Sequence, residues 1–121
     1  MQRKNQKLIE ESPCAALTDE RRERICNDAV KVAKASNYRS AGTIEFLVTE
    51  DAHYFIEMNA RIQVEHTVTE MRADRDLLQA QLYLLQYGEL PFQQEDIVFN
   101  GHVIEARINA CLLYTSPSPR D

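Results

Sequence analysis

At 121 residues, with 44% hydrophobic and 27% charged content, the chain reads as one globular domain of modest size. Its net charge of -5 argues against a nonspecific nucleic-acid binder, and no apolar run or leader pattern points to a membrane. Cys14, Cys26 and Cys111 lack CxxC spacing and read as reduced cytoplasmic thiols, while the isolated Gly42, Gly88 and Gly101 leave no glycine loop for phosphate.

The first eleven residues are polar apart from Met1, Leu8 and Ile9, as in an edge strand or an exposed link, and Ser12-Pro13 breaks them. Thr18 is a fair N-cap, and Asp19 and Glu20 suit the positive end of a helix dipole. A helix is therefore predicted from 19 to about 36, with Ile25, Ala29, Val32 and Ala33 as its apolar stripe.

From Ala41 the apolar period drops to two. Strands are predicted over 43–48 and 54–59, joined by a turn at 49–53. Centring that hairpin on Asp51 pairs Ile44 with Met58 and Phe46 with Ile56 on an apolar face. The same register sets Glu45 opposite Glu57, and Thr43 opposite Asn59. Alternation continues to residue 65, which predicts an inward row of Ile56, Met58, Ala60, Ile62 and Val64. The outward row would be Glu57, Asn59, Arg61, Gln63 and Glu65.

Like charges directly across a sheet are destabilising. At ~4–5 Å and an effective dielectric near 20, the repulsion is about 3–4 kcal/mol. Either one carboxyl keeps its proton or a cation sits between them. Two carboxylates with an amide oxygen nearby favour Mg²⁺ or Mn²⁺ over zinc.

Beyond this row, Thr67-x-x-Glu70 has capping-box spacing and predicts a short helix. A longer helix is predicted from 74 to 87, burying Leu77, Leu78, Leu82, Leu84 and Leu85. Gly88 ends it and Pro91 prevents its resumption. Residues 96–99, an Asn100-Gly101 turn and 102–110 read as a second hairpin, with Val103, Glu105, Arg107 and Asn109 on one face. The Ser/Pro-rich 111–121 has no period and is expected to be disordered.

Residues 57–65 (EMNARIQVE) resemble the EMNxRIQVEHxVTE signature of biotin carboxylases in the ATP-grasp superfamily. Similarity extends from MQRKNQK at the start through AGTIEF at 41–46 to GHVIEARINA at 101–110. The resemblance implies an α+β fold, with residues 1–110 as a partial ATP-grasp domain of antiparallel hairpins packed with helices. It implies that ATP and bicarbonate form carboxyphosphate, which carboxylates biotin at a ureido nitrogen. Glu45, Glu57 and Asn59 would hold Mg²⁺ or Mn²⁺ against the ATP phosphates. Lys7, Arg61, Gln63 and the backbone of Val64 would hold bicarbonate. Glu65 would be its base, and Arg107 would bind biotin and stabilise its enolate-like form. Asn5 and Leu47 match nucleotide-side positions.

Physical chemistry suits these roles: a guanidinium fork matches planar bicarbonate, and a weakly acidic nucleophile needs a base beside it. Thr67 stands where the signature has Pro, and Met71-Arg-Ala-Asp-Arg75 departs from a more apolar segment. The resemblance further implies a biotinylated carrier domain, a carboxyltransferase component, an oligomeric parent and a place in fatty acid biosynthesis or a related carboxylation. R-I-N-A is slightly closer to the acetyl-CoA and pyruvate carboxylase types than to the propionyl-CoA type.

An N-terminal Rossmann-like domain, a glycine-rich lid and a C-terminal domain are expected elsewhere in such an enzyme, so this segment should be inert alone. Residues 111–121 depart from the family and read as a foreign tail. A carbamoyl-phosphate synthetase fragment is the competing ligase, disfavoured by Gln63-Val-Glu-His66. A catalytically silent scaffold is the non-enzyme alternative. Taken without the resemblance, a shared proton serves Glu45 and Glu57 as well as a metal does. Arg61–Glu65 and Arg107–Glu105 could equally be surface ion pairs, and Lys7 a surface residue.

Overall fold

The computed structural model describes residues 1–3 and 6–108, so the predictions for Asn5, Asn109 and the 111–121 tail fall outside it. Among the described residues, three antiparallel strand pairs carry the β structure. β1 (Gln2–Arg3) pairs with β2 (Gln6–Lys7), β3 (Ile9–Ser12) with β6 (Val103–Ala106), and β4 (Thr43–Val48) with β5 (His53–Asn59). Between them run α1 (Asp19–Ala35), α2 (His66–Ala73), α3 (Leu77–Tyr87) and a single 3₁₀ turn at Gln94–Asp96.

The α1 prediction holds within a residue. Thr18 Oγ1 accepts from the Arg21 amide, and Ile25, Ala29, Val32 and Ala33 are all half-buried. Arg21 ties the helix to the β4–β5 turn by donating to the carbonyls of Thr49, Glu50 and Ala52. His53 Nε2 adds a 2.8 Å contact to Asp28.

The hairpin register is Thr43↔Asn59, Ile44↔Met58 and Glu45↔Glu57, as expected. Past Glu45 a β-bulge makes Ile56 the extra residue, and Phe46 faces Phe55 instead of Ile56. The bulge ends the two-face alternation, and Ile56 is 55% exposed. The long outward row is corrected too. β5 stops at Asn59, because its partner begins at Thr43; just before it, a Cβ on Gly42 would stand 2.9 Å from the Tyr38 ring and 3.2 Å from the Asn59 carbonyl. Arg61, Gln63 and Glu65 therefore sit on a loop, and Val64 is exposed rather than in a buried row.

Four further corrections concern 66–106. α2 forms, but without the capping box: Thr67 donates to Glu105, and Glu70 Oε1 accepts from the Leu77 amide at 2.7 Å. α3 starts three residues later than predicted, at the point where Asp76 Oδ1 caps the Gln79 amide. Its inward line is Leu77, Ala80 and Leu84, leaving Leu78, Leu82 and Leu85 exposed. The second hairpin does not form, since β6 finds its ladder on β3, some ninety residues upstream. Among the described residues only Val68, Ala73 and Ala80 are buried apolar side chains.

Candidate functional site

One cleft of about 220 Å³ gathers nearly the whole predicted set. Lys7, Glu45, Glu57, Asn59, Arg61, Gln63, Val64, Glu65 and Arg107 line it, together with Gln6. Four elements supply them: β2, the β4–β5 hairpin, the 60–65 loop and the end of β6. The loop compensates for the early end of β5. It doubles back so that the Gln63 side chain, only 8% exposed, donates Nε2 to Glu45 at 3.1 Å. His66 then closes the turn through its backbone N–H and Nδ1, both at the Gln63 carbonyl.

The opposed acids do converge. Asn59 Nδ2 lies 3.3 Å from Glu45 Oε1 and 3.0 Å from Glu57 Oε1. The charge that neutralises Glu45 is the Lys7 ammonium, an option the hairpin alone does not reveal. Lys7 Nζ donates at 2.8 Å to Glu45 and at 2.8 Å to Glu65, joining hairpin and loop. Glu57 stays exposed and relies on Asn59.

These contacts set the protonation states. The Lys7 hydrogen bond, then that of Gln63, holds Glu45 below the usual carboxylate range. Burial pushes Glu65 up, but the Lys7 bond and charge and its own backbone N–H outweigh it, so Glu65 also lies low. Burial works against the Lys7 ammonium, and the two carboxylates more than offset it. At neutral pH the cleft therefore holds one firmly protonated cation between two ionised acids.

The remaining predicted residues are less engaged. Arg61 Nη1 donates to the neighbouring Ile62 carbonyl, so the simple Arg61–Glu65 ion pair is not made. Arg107 is half-buried on the cleft wall, anchored through its backbone N–H to the Leu8 carbonyl. Glu105 takes the Thr67 hydroxyl rather than Arg107. Leu47 is 58% exposed on β4 and lies outside the cleft lining.

Two residues escape a reading of local pattern. Lys7 is placed in the site only by resemblance, and Glu10 carries no mark at all. Neither has a short-range signal, because their partners lie 38 to 95 residues away.

The residue types suit a hard divalent ion, two carboxylates and an amide with no soft donor among them. Asn59 turns Nδ2 to both acids and Lys7 occupies Glu45 Oε1, so the amide oxygen must turn inward and Lys7 withdraw for the set to form. Among the described residues no three His, Cys, Asp or Glu side chains converge, so the amide is needed to complete the set. No described helix is long and apolar enough to cross a membrane.

A family model for the carbamoyl-phosphate synthase L chain, ATP-binding domain, matches residues 1–91. Biotin carboxylase 1 of Bacillus subtilis is 52% identical over 112 residues, covering 91% of this chain and 25% of its own. Biotin carboxylase of a Nostoc species is 51% identical over 111 residues, covering 91% and 25%. Among solved structures, the biotin carboxylase domain of Hydrogenobacter thermophilus 2-oxoglutarate carboxylase superposes with a TM-score of 0.84 at 51% identity. It covers 91% of this chain and 24% of its own, and it was solved as a dimer with MgADP, ADP and bicarbonate. Biotin carboxylase of Campylobacter jejuni gives 0.82 at 49%, covering 88% and 24%. The chain thus spans about a quarter of the length of the relatives it matches.

Proposed function

The chain belongs to the carbamoyl-phosphate synthase L chain ATP-binding domain family, in its biotin carboxylase branch, and on that footing we propose that it carries the bicarbonate-activating part of an ATP-dependent biotin carboxylase. Its α+β fold is that of the ATP-grasp biotin carboxylases. The observation that carries the proposal is the Lys7 ammonium bridging Glu45 and Glu65 at the floor of a cleft walled by Arg61, Gln63 and Arg107.

In this proposal the exposed Arg61 fork, the Val64 amide and Lys7 receive bicarbonate, and its negative charge draws Lys7 toward the anion. As Lys7 shifts, Glu65 loses the partner that holds it low and becomes a competent base. Glu65 takes the bicarbonate proton. A carbonate oxygen bonds to the γ-phosphorus of ATP, the bond to the β–γ bridging oxygen breaks, and ADP departs. Phosphoryl transfer of this kind depends on positioning and charge neutralisation. Glu45, Glu57 and the Asn59 amide oxygen would hold Mg²⁺ or Mn²⁺, which supplies charge neutralisation at the phosphates. Arg107 faces the same space and is assigned to biotin, where a guanidinium offsets charge developing on the ureido group.

Residues 1–110 are assigned to a partial ATP-grasp domain. The further assignments are a biotinylated carrier domain and a carboxyltransferase as partners, an oligomeric parent, and a role in acyl-CoA or keto-acid carboxylation such as fatty acid biosynthesis. Exposed free thiols at Cys14 and Cys26 suit a reducing compartment such as the cytoplasm.

A chimaera tests the proposal, with residues 1–108 replacing the matching quarter of Bacillus subtilis biotin carboxylase 1. It should release phosphate from ATP in a bicarbonate-dependent manner and carboxylate free biotin, whereas the 121-residue chain alone does neither. Glu65→Gln should cut turnover by about 10²-fold or more, as expected for loss of a general base. A well-folded chimaera without carboxylation, or one indifferent to Glu65→Gln, would overturn the assignment.

A further inference from the structure

The peptide unit between Gln63 and Val64 is one planar group whose two ends meet different surroundings. It is trans, so its C=O and N–H point in opposite directions. The carbonyl end is gripped from the start of α2, by the His66 backbone N–H at 3.2 Å and by ring Nδ1 at 2.8 Å. At the other end, the Val64 N–H has no hydrogen-bond partner among the described residues, and Val64 stands on the cleft wall. No neighbouring side chain shares the grip. Glu65, the residue ahead of α2, caps none of its amides and is turned to Lys7 instead. A carbonyl oxygen only accepts, so a contact of 2.8 Å requires a hydrogen on Nδ1 whatever Nε2 carries. Nε2 faces Glu70 at 3.8 Å, beyond hydrogen-bond reach, and Glu70 is itself tied to the Leu77 amide.

We infer that His66 is a positioning residue: by donating its Nδ1 hydrogen to the Gln63 carbonyl, it turns this peptide plane so that the Val64 N–H faces the cleft. Holding one end of a rigid plane aims the other, so a ring outside the cleft lining directs a donor inside it. The benefit to bicarbonate comes through the Val64 amide, and that consequence alone rests on the proposed function.

The test begins with NMR on the 121-residue chain and needs neither ATP nor bicarbonate. In the wild type, the ¹⁵N shifts of the His66 ring should show a hydrogen on Nδ1. Asparagine places a side-chain N–H where Nδ1 lies, whereas glutamine places it where Nε2 lies. The residual dipolar coupling of the Val64 N–H, normalised to those of α1, reports that bond's direction. It should match wild type in His66→Asn and differ in His66→Gln and His66→Ala. In the chimaera, His66→Gln and His66→Ala should raise the KM for bicarbonate about tenfold, matching the loss of one hydrogen bond to an anion. The KM for ATP should stay at the wild-type value, and His66→Asn should restore that for bicarbonate. A bare Nδ1 in the wild type, which needs no variant to fold, would overturn the inference, as would one Val64 coupling shared by all four proteins. Couplings that change as stated beside an unchanged bicarbonate KM would uphold the aiming of Val64 and remove its amide from the bicarbonate site.

Discussion

Lys7 shows how far a residue's role depends on partners that sequence separation hides. It stands in a polar run that reads as surface, yet it neutralises two acids 38 and 58 residues downstream. This linkage has a definite sign in pH. Glu45 and Glu65 titrate below their ordinary value of 4.5, so on acidification the unfolded chain takes up protons before the folded one does. The stability they contribute is complete above that value and is lost as pH falls through their lowered folded values. Lys7→Met removes the bond that holds both acids down and leaves the upward push of burial on Glu65 opposed by its own backbone N–H alone. Thermal unfolding followed from neutral pH to about pH 3 should therefore start from a lower midpoint in Lys7→Met and fall less on acidification than in wild type. Superimposable pH curves for the two proteins would contradict the role given to Lys7. The Glu45–Glu57 opposition, by contrast, is visible in the residues themselves, because hairpin register follows from strand period.

Elements are readable where their signals are local. α1 announces itself through Thr18 and two following acids, and Gly88 ends α3 in the left-handed conformation that its φ of 80° requires. Local pattern misleads where tertiary pairing decides the outcome. It points β6 to a neighbouring partner, whereas β6 joins β3, and it makes Thr67 a cap, whereas Thr67 bonds Glu105. The bulge at Glu45/Phe46 has no glycine to mark it, so period alone pairs Phe46 with the wrong residue. For α3, the cap is the Asp76 carboxylate, 2.7 Å from the Gln79 amide. Asp76→Ala should lower stability by about 1 kcal/mol, with Asp76→Asn close to wild type, as read from urea midpoints. Equal midpoints for the alanine and asparagine variants would remove Asp76 from that role.

At the scale of the whole molecule, apolar surface outweighs core. Leu82 and Leu85 on α3 are 68% and 79% exposed, and Tyr54 and Ile56 on β5 are more than half exposed. The family likeness identifies the chemistry, but the amphipathic patterns do not say which leucines face inward, because α3 is apolar on more than one side. What the chain does assemble is a cleft in which Glu45, Glu57 and Asn59 share one spot. Electron paramagnetic resonance titration of Mn²⁺ into the chimaera tests that claim most directly, comparing the wild-type segment with Glu57→Gln and with Glu50→Gln on the exposed β4–β5 turn as the control. The site requires Glu57→Gln to weaken Mn²⁺ by about tenfold or more, as loss of one hard oxygen ligand should, while Glu50→Gln leaves it unchanged. Equal affinity in all three proteins would mean that no metal is held between the two acids.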